Sequence, residues 1–159
     1  MRSIRGLLLR GYGRLPRLVR RALVRAGSPT WLLGSVCIVE HDGAILIVRH
    51  SYIRGWGLPG GGVSRNEVPE AAAVRECFEE VALGVTPVGR PSLVSYPSPR
   101  RIDVVQQCRL APGAEPSDAR PSSAEIVEVR WVRREELAEL TFNRSAAAAL
   151  RAVGYVTRH

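Results

Sequence analysis

The chain has 159 residues and a mass of 17.4 kDa, and its 45% hydrophobic and 24% charged content is typical of one soluble globular domain. The net charge of +8 comes from the first segment, because eight of the 23 basic residues, all of them arginine, lie in residues 1–39 and no acidic residue does. The sequence contains no run of about 18 apolar residues and no unbroken apolar signal core, so we expect neither a membrane-spanning helix nor a secretory signal, and a cytoplasmic location.

Two short helical patterns open the chain, and the first of them ends at the sequence GYG in residues 11–13. The second runs from Pro16 to Gly27 and places apolar residues at helical spacing on one face, opposite a face of arginines. Proline suits a first helical turn, and glycine suits a helix end. We therefore predict a basic amphipathic helical segment over residues 1–30 and a separate domain over residues 31–159.

A β-hairpin is predicted next. Residues 32–40 and 44–50 are rich in β-branched and aliphatic side chains, and an Asp-Gly pair at residues 42–43 separates them. The following residues, 51–67, are too rich in glycine for regular structure, so we expect a loop there.

A helix is predicted over residues 69–82, because apolar side chains recur there at helical spacing and Pro69 suits a first turn. The preceding pattern, Ser64-x-x-Glu67, resembles a capping box. We therefore expect this pair to mark the start of the helix.

The second half of the chain continues to alternate strand and helix patterns. We predict strands at residues 92–96, 102–110 and 126–132, a mobile Pro/Ser-rich loop at 111–124, and short helices near 134–139 and 144–153. Strands interleaved with helices, some neighbouring strands being antiparallel, predict the α/β class with a mixed β-sheet covered by helices.

The three cysteines, Cys37, Cys77 and Cys108, form an odd set with no CxxC pair and no histidine at ligand spacing. Two of them lie in strand-like apolar runs, and Cys77 lies in the predicted helix. We expect buried thiols in a reducing compartment and no disulfide framework.

Three carboxylates crowd the end of the predicted helix, in the sequence RECFEE. Glu76, Glu79 and Glu80 stand at i, i+3 and i+4, and Arg75 is the nearby positive charge. Negative charge in a last helical turn opposes the helix dipole by roughly 0.3–1 kcal/mol for each residue. A hard divalent cation would offset this repulsion, and the glycines at residues 60–62 would let backbone carbonyls approach it. The alternative is a solvated helix face with an ordinary ion pair.

These residues resemble a known pattern. Gly61, five residues, Glu67, seven residues and then the six residues RECFEE resemble the Nudix box, GX5EX7REUXEEXGU, over residues 61–83. The family glycine near the end of the box is Ala82 here. Because alanine is favourable in a helix, we expect a small shift in how the helix ends and no loss of activity.

The resemblance covers about residues 33–153 and implies the Nudix fold, an α/β/α sandwich with a mixed β-sheet. It also implies a hydrolase that uses Mg²⁺ or Mn²⁺ to cleave the pyrophosphate of a nucleoside diphosphate linked to another group. A nucleotide sugar, an ADP-ribose-like compound or a nucleoside triphosphate would fit that description.

The resemblance assigns residues to this chemistry by position. It implies that Glu76, Glu79, Glu80 and the carbonyl of Gly60 hold the metal, and that Arg75 orients Glu79. We therefore predict Glu79, Glu80 and Arg75 as catalytic residues.

Two further acids are considered outside that cluster. Glu67 lies nine residues before Glu76, on the opposite side of a continuous helix, so we expect it at the junction of loop and helix as an indirect partner of the site. Glu125 ends the Pro/Ser-rich loop and precedes Trp131 at a spacing similar to that of the family, which makes it a candidate catalytic acid. The alternative for Glu125 is a loop end in solvent.

For substrate binding we predict Arg49, Arg54 and Trp56, which could contact phosphate or form a pocket wall. The alternatives are solvated surface positions for the arginines and simple packing for the tryptophan. His50 has no motif partner in the sequence and receives no role.

The basic segment over residues 1–30 has several candidate partners. Its apolar face could pack on the domain or on a second copy of the chain, giving a homodimer. It could instead lie on anionic lipid, or its arginines could follow the phosphates of a nucleic acid. An organelle transit peptide has a similar composition, although arginine without lysine also fits a coding bias.

Two functions from different classes fit the sequence. The first is a metal-dependent pyrophosphohydrolase. The second is a Nudix-fold module that binds a nucleotide and regulates without turnover. The first is favoured, because the chain keeps every glutamate of the box.

Overall fold

The computed structural model describes residue 12 and residues 15–156. Contacts within the chain divide it into two units, residues 1–31 and residues 32–159. Within the ranges described, no helix combines the length and the apolar composition needed to cross a membrane.

The first unit contains helix α1, Arg17–Gly27, which follows Pro16 as the sequence predicts. Leu18 is 78% exposed and Val24 is 53% exposed, so apolar side chains of this helix face solvent. The earlier predicted helical pattern, in residues 1–11, lies outside the described residues.

The predicted hairpin is confirmed in the second unit. Strand β1, Leu32–His41, and strand β2, Ala44–His50, pair in antiparallel fashion beside the turn. Asp42 and Gly43 have φ angles of 48° and 75°. A tight two-residue hairpin turn of this kind requires positive φ at both central positions, which explains the Asp-Gly pair.

Five further strands complete a seven-stranded sheet. They are β3 (Trp56–Gly57), β4 (Gly60–Gly62), β5 (Val85–Pro97), β6 (Arg100–Leu110) and β7 (Ile126–Arg133). The strand order is β3-β2-β1-β6-β5, with β4 paired to β1 and β7 paired to β2. β1 and β6 are parallel and the other pairs of named strands are antiparallel, so the predicted mixed sheet is confirmed.

Two helices supply the outer layers, α2 (Pro69–Val81) and α3 (Arg144–Ala152), and alternate residues of β1 and β2 face two separate cores. One core contains Val36, Ile38, Ile45 and Ile47 together with Ala146, Ala149 and Leu150 of α3. The other contains Cys37, Val39, Leu46 and Val48 together with Ala73, Cys77 and Val81 of α2. Both faces of these strands are therefore buried, which explains their nearly continuous hydrophobic runs and gives the predicted α/β/α layers.

All three cysteines are free and buried, as predicted. Hydrogen bonding with the thiols of Cys108 and Cys77, together with burial, raises the pKa of Cys37 well above its ordinary value. The three thiols thus belong to the core on the α2 side of the sheet and act as small apolar side chains.

The glycine-rich stretch at residues 51–67 is not a loop throughout, so that prediction is wrong for β3 and β4. Gly62 pairs with Gly34 of β1, and a side chain on Gly34 would collide with the Asp103 carboxylate. The glycines therefore form sheet structure because the backbone approaches its neighbours closely here.

The Ser64-x-x-Glu67 pattern does not cap α2, contrary to the prediction. Glu67 accepts a hydrogen bond from the backbone N–H of Ser64 at 2.8 Å, which closes a turn before the helix. The residue at the N-cap of α2 is Val68, and no side chain caps the helix there. Glu67 lies at the junction of loop and helix, where we expected it.

The Pro/Ser-rich loop that we expected to be mobile is hydrogen-bonded to α2. The backbone N–H groups of Arg120 and Ser122 donate to the carbonyls of Val81 and Glu80, at 3.0 and 2.9 Å. These bonds satisfy carbonyls of the last helical turn, which lack partners within the helix. The loop therefore closes over the end of the helix that carries the acidic cluster.

Two short helices follow β7. Residues Arg134–Glu139 form a short 3-10 helix where a short helix is predicted. α3 begins after Asn143, whose side chain accepts a hydrogen bond from the backbone N–H of Ala146 at 2.9 Å. This N-cap fixes the start of α3 next to the acidic site.

Ala82 ends α2 in the left-handed conformation, with φ 57° and ψ 19°, and its N–H donates to the carbonyl of Phe78 at 2.9 Å. We had expected alanine to continue the helix and to shift its end slightly. Glycine adopts this left-handed conformation freely. In alanine the Cβ makes the same conformation sterically unfavourable. The departure from the Nudix box therefore costs stability at this residue.

We predict that Ala82→Gly stabilises the protein by about 1 kcal/mol. The left-handed conformation costs an L-residue about 1–2 kcal/mol, and part of this gain is offset because glycine loses more conformational entropy on folding than alanine does. The unfolding temperature measured by calorimetry should rise by about 3–5 °C. Ala71→Gly, inside α2, is the matched control and should lower it. A lower unfolding temperature for Ala82→Gly would contradict the assignment of strain to Ala82.

Candidate active site

A cavity of about 640 Å³ lies beside the acidic end of α2. Its walls come from β1, β4 and α2, from the residues that follow β2 and precede β7, and from the start of α3. Glu76, Glu80 and Glu125 line it, so two carboxylates of α2 share one space with a third that lies 45 residues further along the chain. Arg101 and Arg144 line it too, and give the cavity basic as well as acidic walls.

Glu80 is the buried member of the cluster, and 6% of its surface is exposed. One carboxylate oxygen accepts a hydrogen bond from the backbone N–H of Gly60 at 3.0 Å. Burial raises the pKa of Glu80 to about 7, aided by the nearby charges of Glu76, Glu125 and Glu79 and opposed by the Gly60 hydrogen bond. The site therefore holds negative charge that the protein itself does not fully compensate.

Gly60 and Gly61 bring the backbone of β4 against this cluster. A Cβ on Gly60, which has φ 153°, would lie 2.3 Å from the carbonyl oxygen of Ser35. A Cβ on Gly61 would lie 2.5 Å from the carboxylate of Glu76. Residue 60 therefore requires glycine because a side chain would collide with backbone, whereas a side chain at residue 61 would displace the carboxylate of Glu76.

Arg75 is the cation that organises the exposed acids. Its guanidinium donates to Glu67, to Glu76 and to Glu79, with the closest contacts at 2.8, 2.8 and 3.1 Å, and also to the carbonyl of Gly62. These bonds raise the pKa of Arg75, and its side chain lowers the pKa of Glu67 to about 2. Arg75 thus contacts Glu79 as the family resemblance implies, and it holds two further carboxylates.

Glu125 reaches the cavity because the chain after β2 pairs with the chain before β7. The backbone N–H of Ser51 donates to the carbonyl of Glu125 at 2.8 Å. The hydroxyl of Tyr52 then donates to the Glu125 carboxylate at 2.7 Å, a contact that raises the pKa of Tyr52. Glu125 is exposed, and its carboxylate accepts a hydrogen bond from one side chain, that of Tyr52.

His50 is a residue of the cavity that the sequence reasoning missed. Its Nε2 lies 3.9 Å from a carboxylate oxygen of Glu80, and its Nδ1 is buried with no hydrogen-bond partner in the described part of the chain. Burial lowers the pKa of His50, and the charge of Glu125 acts in the opposite direction. Leu46 and Val48 point to the α2 side of the sheet, so the two-residue period of β2 could have indicated that His50 does so too.

The three predicted substrate contacts do not line this cavity. Trp56 is buried in the core on the α3 side, and the guanidinium of Arg49 lies over its ring at 4.6 Å. Arg49 also pairs with Glu128 at 3.3 Å, and Arg54 is exposed outside the cavity walls. Arg49 and Trp56 are cross-strand neighbours in the β2–β3 pair and contact each other. A role of these three residues in substrate binding stays a prediction.

The donor set of the cavity fits a hard divalent cation. Carboxylate oxygens and a backbone carbonyl are ligands that Mg²⁺ and Mn²⁺ prefer, and the raised pKa of Glu80 indicates uncompensated negative charge. Among the described residues, however, no three acidic or histidine side chains already surround a single point at metal-binding distances. Glu76 and Glu79 each bond Arg75 through one carboxylate oxygen, so an ion shared by both would bind through their other oxygens.

Comparison with known proteins places these features in a family. The family profile described as the NUDIX domain matches residues 33–153. A CMP-5′-(N-acetyl-N-hydroxy-3-aminopropyl)phosphonate hydrolase from Streptomyces rubellomurinus is 33% identical over 105 residues, which are 64% of this chain and 50% of that protein. The chain thus spans about half the length of this curated relative.

Solved structures share the fold. A NUDIX hydrolase from Nitrosomonas europaea matches with a TM-score of 0.67 and 21% identity over 78% of this chain and 70% of that one. An ADP-ribose pyrophosphatase from Streptococcus suis matches with a TM-score of 0.62 and 24% identity over 82% of this chain and 96% of that one. The order of strands and helices around the cavity is therefore that of a known enzyme fold.

Proposed function

This chain belongs to the NUDIX domain family, and we propose that it is a metal-dependent hydrolase that cleaves the diphosphate of a nucleoside diphosphate derivative. The observation that carries the proposal is the cavity that Glu76, Glu80 and Glu125 line beside the three glycines of β4. We propose nucleotide sugars, ADP-ribose-like compounds or nucleoside triphosphates as the substrate class, in the cytoplasm. The relative from Streptomyces rubellomurinus, named for the hydrolysis of a CMP phosphonate, supports a nucleotide derivative.

We propose Mg²⁺ or Mn²⁺ as the cofactor, held by Glu76, Glu79, Glu80 and the carbonyl of Gly60. When bound, the ion would neutralise phosphate oxygens and lower the pKa of a bound water. The residues of the chain place the ligands: Gly60 fixes the carboxylate of Glu80, and Arg75 holds those of Glu76 and Glu79. Arg75 therefore acts as a positioning residue for the cluster.

The role proposed for Glu125 is to accept a proton or to orient water at the edge of the site. Its carboxylate faces the same cavity as Glu80, and Tyr52 fixes its position. The buried His50 lies beside Glu80, with its Nε2 3.9 Å from a Glu80 carboxylate oxygen, and burial lowers its pKa, which favours the neutral ring.

The direct test of the proposal is a screen for nucleotide or phosphate release from nucleoside diphosphate derivatives with Mg²⁺ and with Mn²⁺. EDTA is the control, and it should abolish turnover. If no derivative is cleaved with either ion, the hydrolase is rejected for this substrate class.

A module that binds a nucleotide without turnover is the second candidate. It is favoured by one observation, that Glu76 and Glu79 are bonded to Arg75 and are not arranged around a common point. A nucleotide that raises the unfolding temperature in the presence of Mg²⁺, and that is recovered intact after long incubation, would support this candidate.

For the basic segment over residues 1–30, we propose self-association of the chain through the apolar face of α1. The exposure of Leu18 and Val24 supports a covering partner of some kind. Anionic lipid and nucleic acid are the alternatives, since the segment has arginines and no acidic residue.

We predict that Glu125→Gln lowers kcat at least about tenfold with a smaller change in KM, which is the pattern of a contact made in the transition state. Glutamine keeps the size of the side chain and can still accept the Tyr52 hydrogen bond, but it carries no charge. The matched control is Glu128→Gln, because Glu128 pairs with Arg49 away from the cavity. An unchanged kcat for Glu125→Gln would remove this residue from the mechanism.

A further inference from the structure

A second, smaller cavity of about 180 Å³ adjoins the acidic one between the end of β5, the start of β6 and the start of α3. Its walls are formed by Tyr96, Pro99, Arg101, Asp103, Arg144 and Ser145. Arg101, Arg144 and Ser145 also line the large cavity, so the two spaces share a wall of polar side chains. None of the acids proposed as metal ligands lines the small cavity.

The one carboxylate of this small cavity is already compensated. Asp103 is buried with 1% of its surface exposed, and its two oxygens accept hydrogen bonds from Nε of Arg101 and from the hydroxyl of Ser145. The pair uses only Nε of the guanidinium. The terminal nitrogens of Arg101 lie over Gly34, where a Cβ would come within 2.8 Å of one of them. They remain hydrogen-bond donors toward a ligand.

Arg144 brings a second guanidinium to the same space. It lies over the ring of Tyr96 at 5.3 Å and donates to the carbonyl of Ser98 at 3.2 Å. Among the described residues, no aspartate or glutamate forms an ion pair with Arg144. Two guanidinium groups therefore face one carboxylate, and the small cavity has a net positive charge.

Tyr96 supplies an independent sign of a missing ligand. Only 8% of this residue is exposed, and its hydroxyl, although near the side chains of Ser145 and Asp103, makes no hydrogen bond of normal geometry in the part of the chain that the structure describes. Buried hydroxyl groups without partners are uncommon and costly in native proteins. The first turn of α3 adds backbone N–H groups, because Asn143 caps only that of Ala146.

We propose that Arg101, Arg144 and Tyr96 form a subsite for a second anionic group of the substrate, a phosphate or a carboxylate outside the diphosphate that is cleaved. This inference rests on the proposed hydrolase, whose diphosphate lies at the acidic end of the large cavity. The anionic group can be carried on the sugar beyond the diphosphate or on the ribose of the nucleoside. Both positions present the same oxygen acceptors to the two guanidinium groups and the tyrosine hydroxyl.

The test compares two pairs of compounds that differ in one charged group. UDP-glucuronic acid and UDP-glucose differ in a carboxylate on the sugar, and 2′-phospho-ADP-ribose and ADP-ribose differ in a phosphate on the nucleoside. The wild-type enzyme should cleave the charged member of one pair with a kcat/KM about tenfold higher or more, and the pair that shows the preference identifies the position. Arg144→Gln should lower kcat/KM for the charged member more than for the uncharged member, so that the preference within that pair is lost.

Two further variants separate this role from a structural one. Tyr96→Phe should also weaken the preference without lowering the unfolding temperature, because it removes a hydroxyl that makes no hydrogen bond of normal geometry with the described residues. Arg151→Gln changes the net charge by the same amount on the exposed last turn of α3, and it should keep the preference. If the Arg144 variant lowers kcat/KM by the same factor for the charged and the uncharged member of each pair, the subsite is overturned.

A binding measurement without turnover tests the proposed subsite separately from the proposed hydrolase activity. The shift in unfolding temperature of the metal-free protein is measured with the same four compounds in EDTA. A larger shift for a charged member that Arg144→Gln removes would support the subsite even if none of the compounds is cleaved, an outcome that would reject only the hydrolase. If the wild type shows no preference within either pair, in rates or in shifts, the subsite is wrong.

Discussion

Glu80→Gln should reduce turnover by at least about 100-fold and should stabilise the metal-free protein at pH 8. The catalytic loss is expected because the substitution removes a charged ligand from the proposed metal site. The gain in stability is expected because Glu80 is buried near Glu76, Glu79 and Glu125, and glutamine can still accept the hydrogen bond of Gly60. Loss of function with a gain in stability is the signature of a strained active site.

The pH dependence of this gain follows from the raised pKa of Glu80, about 7 in the folded protein against an ordinary value of 4.5. Between these two values the folded protein binds more protons than the unfolded chain, so its stability falls as pH rises. The penalty is absent below about pH 4.5 and complete above about pH 7. The free energy of unfolding of Glu80→Gln should therefore exceed that of the wild type by about 1–3 kcal/mol at pH 8 and by nearly nothing at pH 4.5.

Calorimetry of the metal-free protein at the two pH values measures this difference, and a titration with Mg²⁺ measures the metal site. Mg²⁺ should raise the unfolding temperature of the wild type and not that of Glu80→Gln. Glu79→Gln should lose turnover equally without the pH-dependent gain, because Glu79 is exposed. Glu70→Gln, in the first turn of α2, is the control for both. If Glu79→Gln and Glu80→Gln both stay within a few-fold of wild-type turnover, the acidic end of α2 is not the metal site.

The parts of the fold that the sequence predicted are those with local signals. The Asp42-Gly43 pair fixed the hairpin because its turn needs positive φ at both residues. The spacing of Glu76 and Glu80 on one helix placed both side chains in one cavity. Such signals act over a few residues, so they can be read without knowing the rest of the structure.

The errors arose where contacts join distant segments. β4 pairs with β1 across more than twenty residues, and nothing in three successive glycines indicates a strand. The stack of Arg49 on Trp56 depends on the register of β2 with β3, which the sequence does not reveal. For this reason the sequence does not show that these two side chains contact each other outside the cavity.

Glu125 and His50 show how irregular pairing determines a site. β2 and β7 pair regularly up to Arg49, where the register shifts before His50. The shift lies beside the hydrogen bond from Ser51 to Glu125, and the Tyr52 hydroxyl then reaches that carboxylate. A bulge of this kind commonly directs side chains into active sites, but it has no signature in a single sequence.

Arg75→Gln should have the second largest effect, a loss of stability together with a loss of turnover. The substitution leaves Glu67, Glu76, Glu79 and the buried Glu80 without the guanidinium that bonds three of them. Because the Arg75 side chain is 31% exposed, water screens part of this repulsion, and we expect a loss of about 1–3 kcal/mol at neutral pH. Turnover should fall because Glu76 and Glu79 lose the side chain that positions them.

The pH dependence of this loss of stability distinguishes an electrostatic role of Arg75 from simple packing. Arg75 lowers the pKa of Glu67 to about 2 from an ordinary value of 4.5. An acid with a lowered pKa stabilises the folded protein fully above the ordinary value, and this stabilisation is lost as pH falls toward 2. The difference in unfolding temperature between wild type and Arg75→Gln should therefore be largest above about pH 4.5 and should shrink as the solution is acidified.

Unfolding temperatures of both proteins, measured from pH 7 down to the lowest pH at which the wild type still unfolds cooperatively, test this expectation. Arg65→Gln is the matched control, since Arg65 is exposed on the loop before α2 and forms no ion pair with the described residues. Its unfolding temperature should follow that of the wild type at every pH. A constant difference for Arg75→Gln across the whole range would show that Arg75 acts by packing, because removal of a packing contact does not depend on the ionisation of a carboxylate.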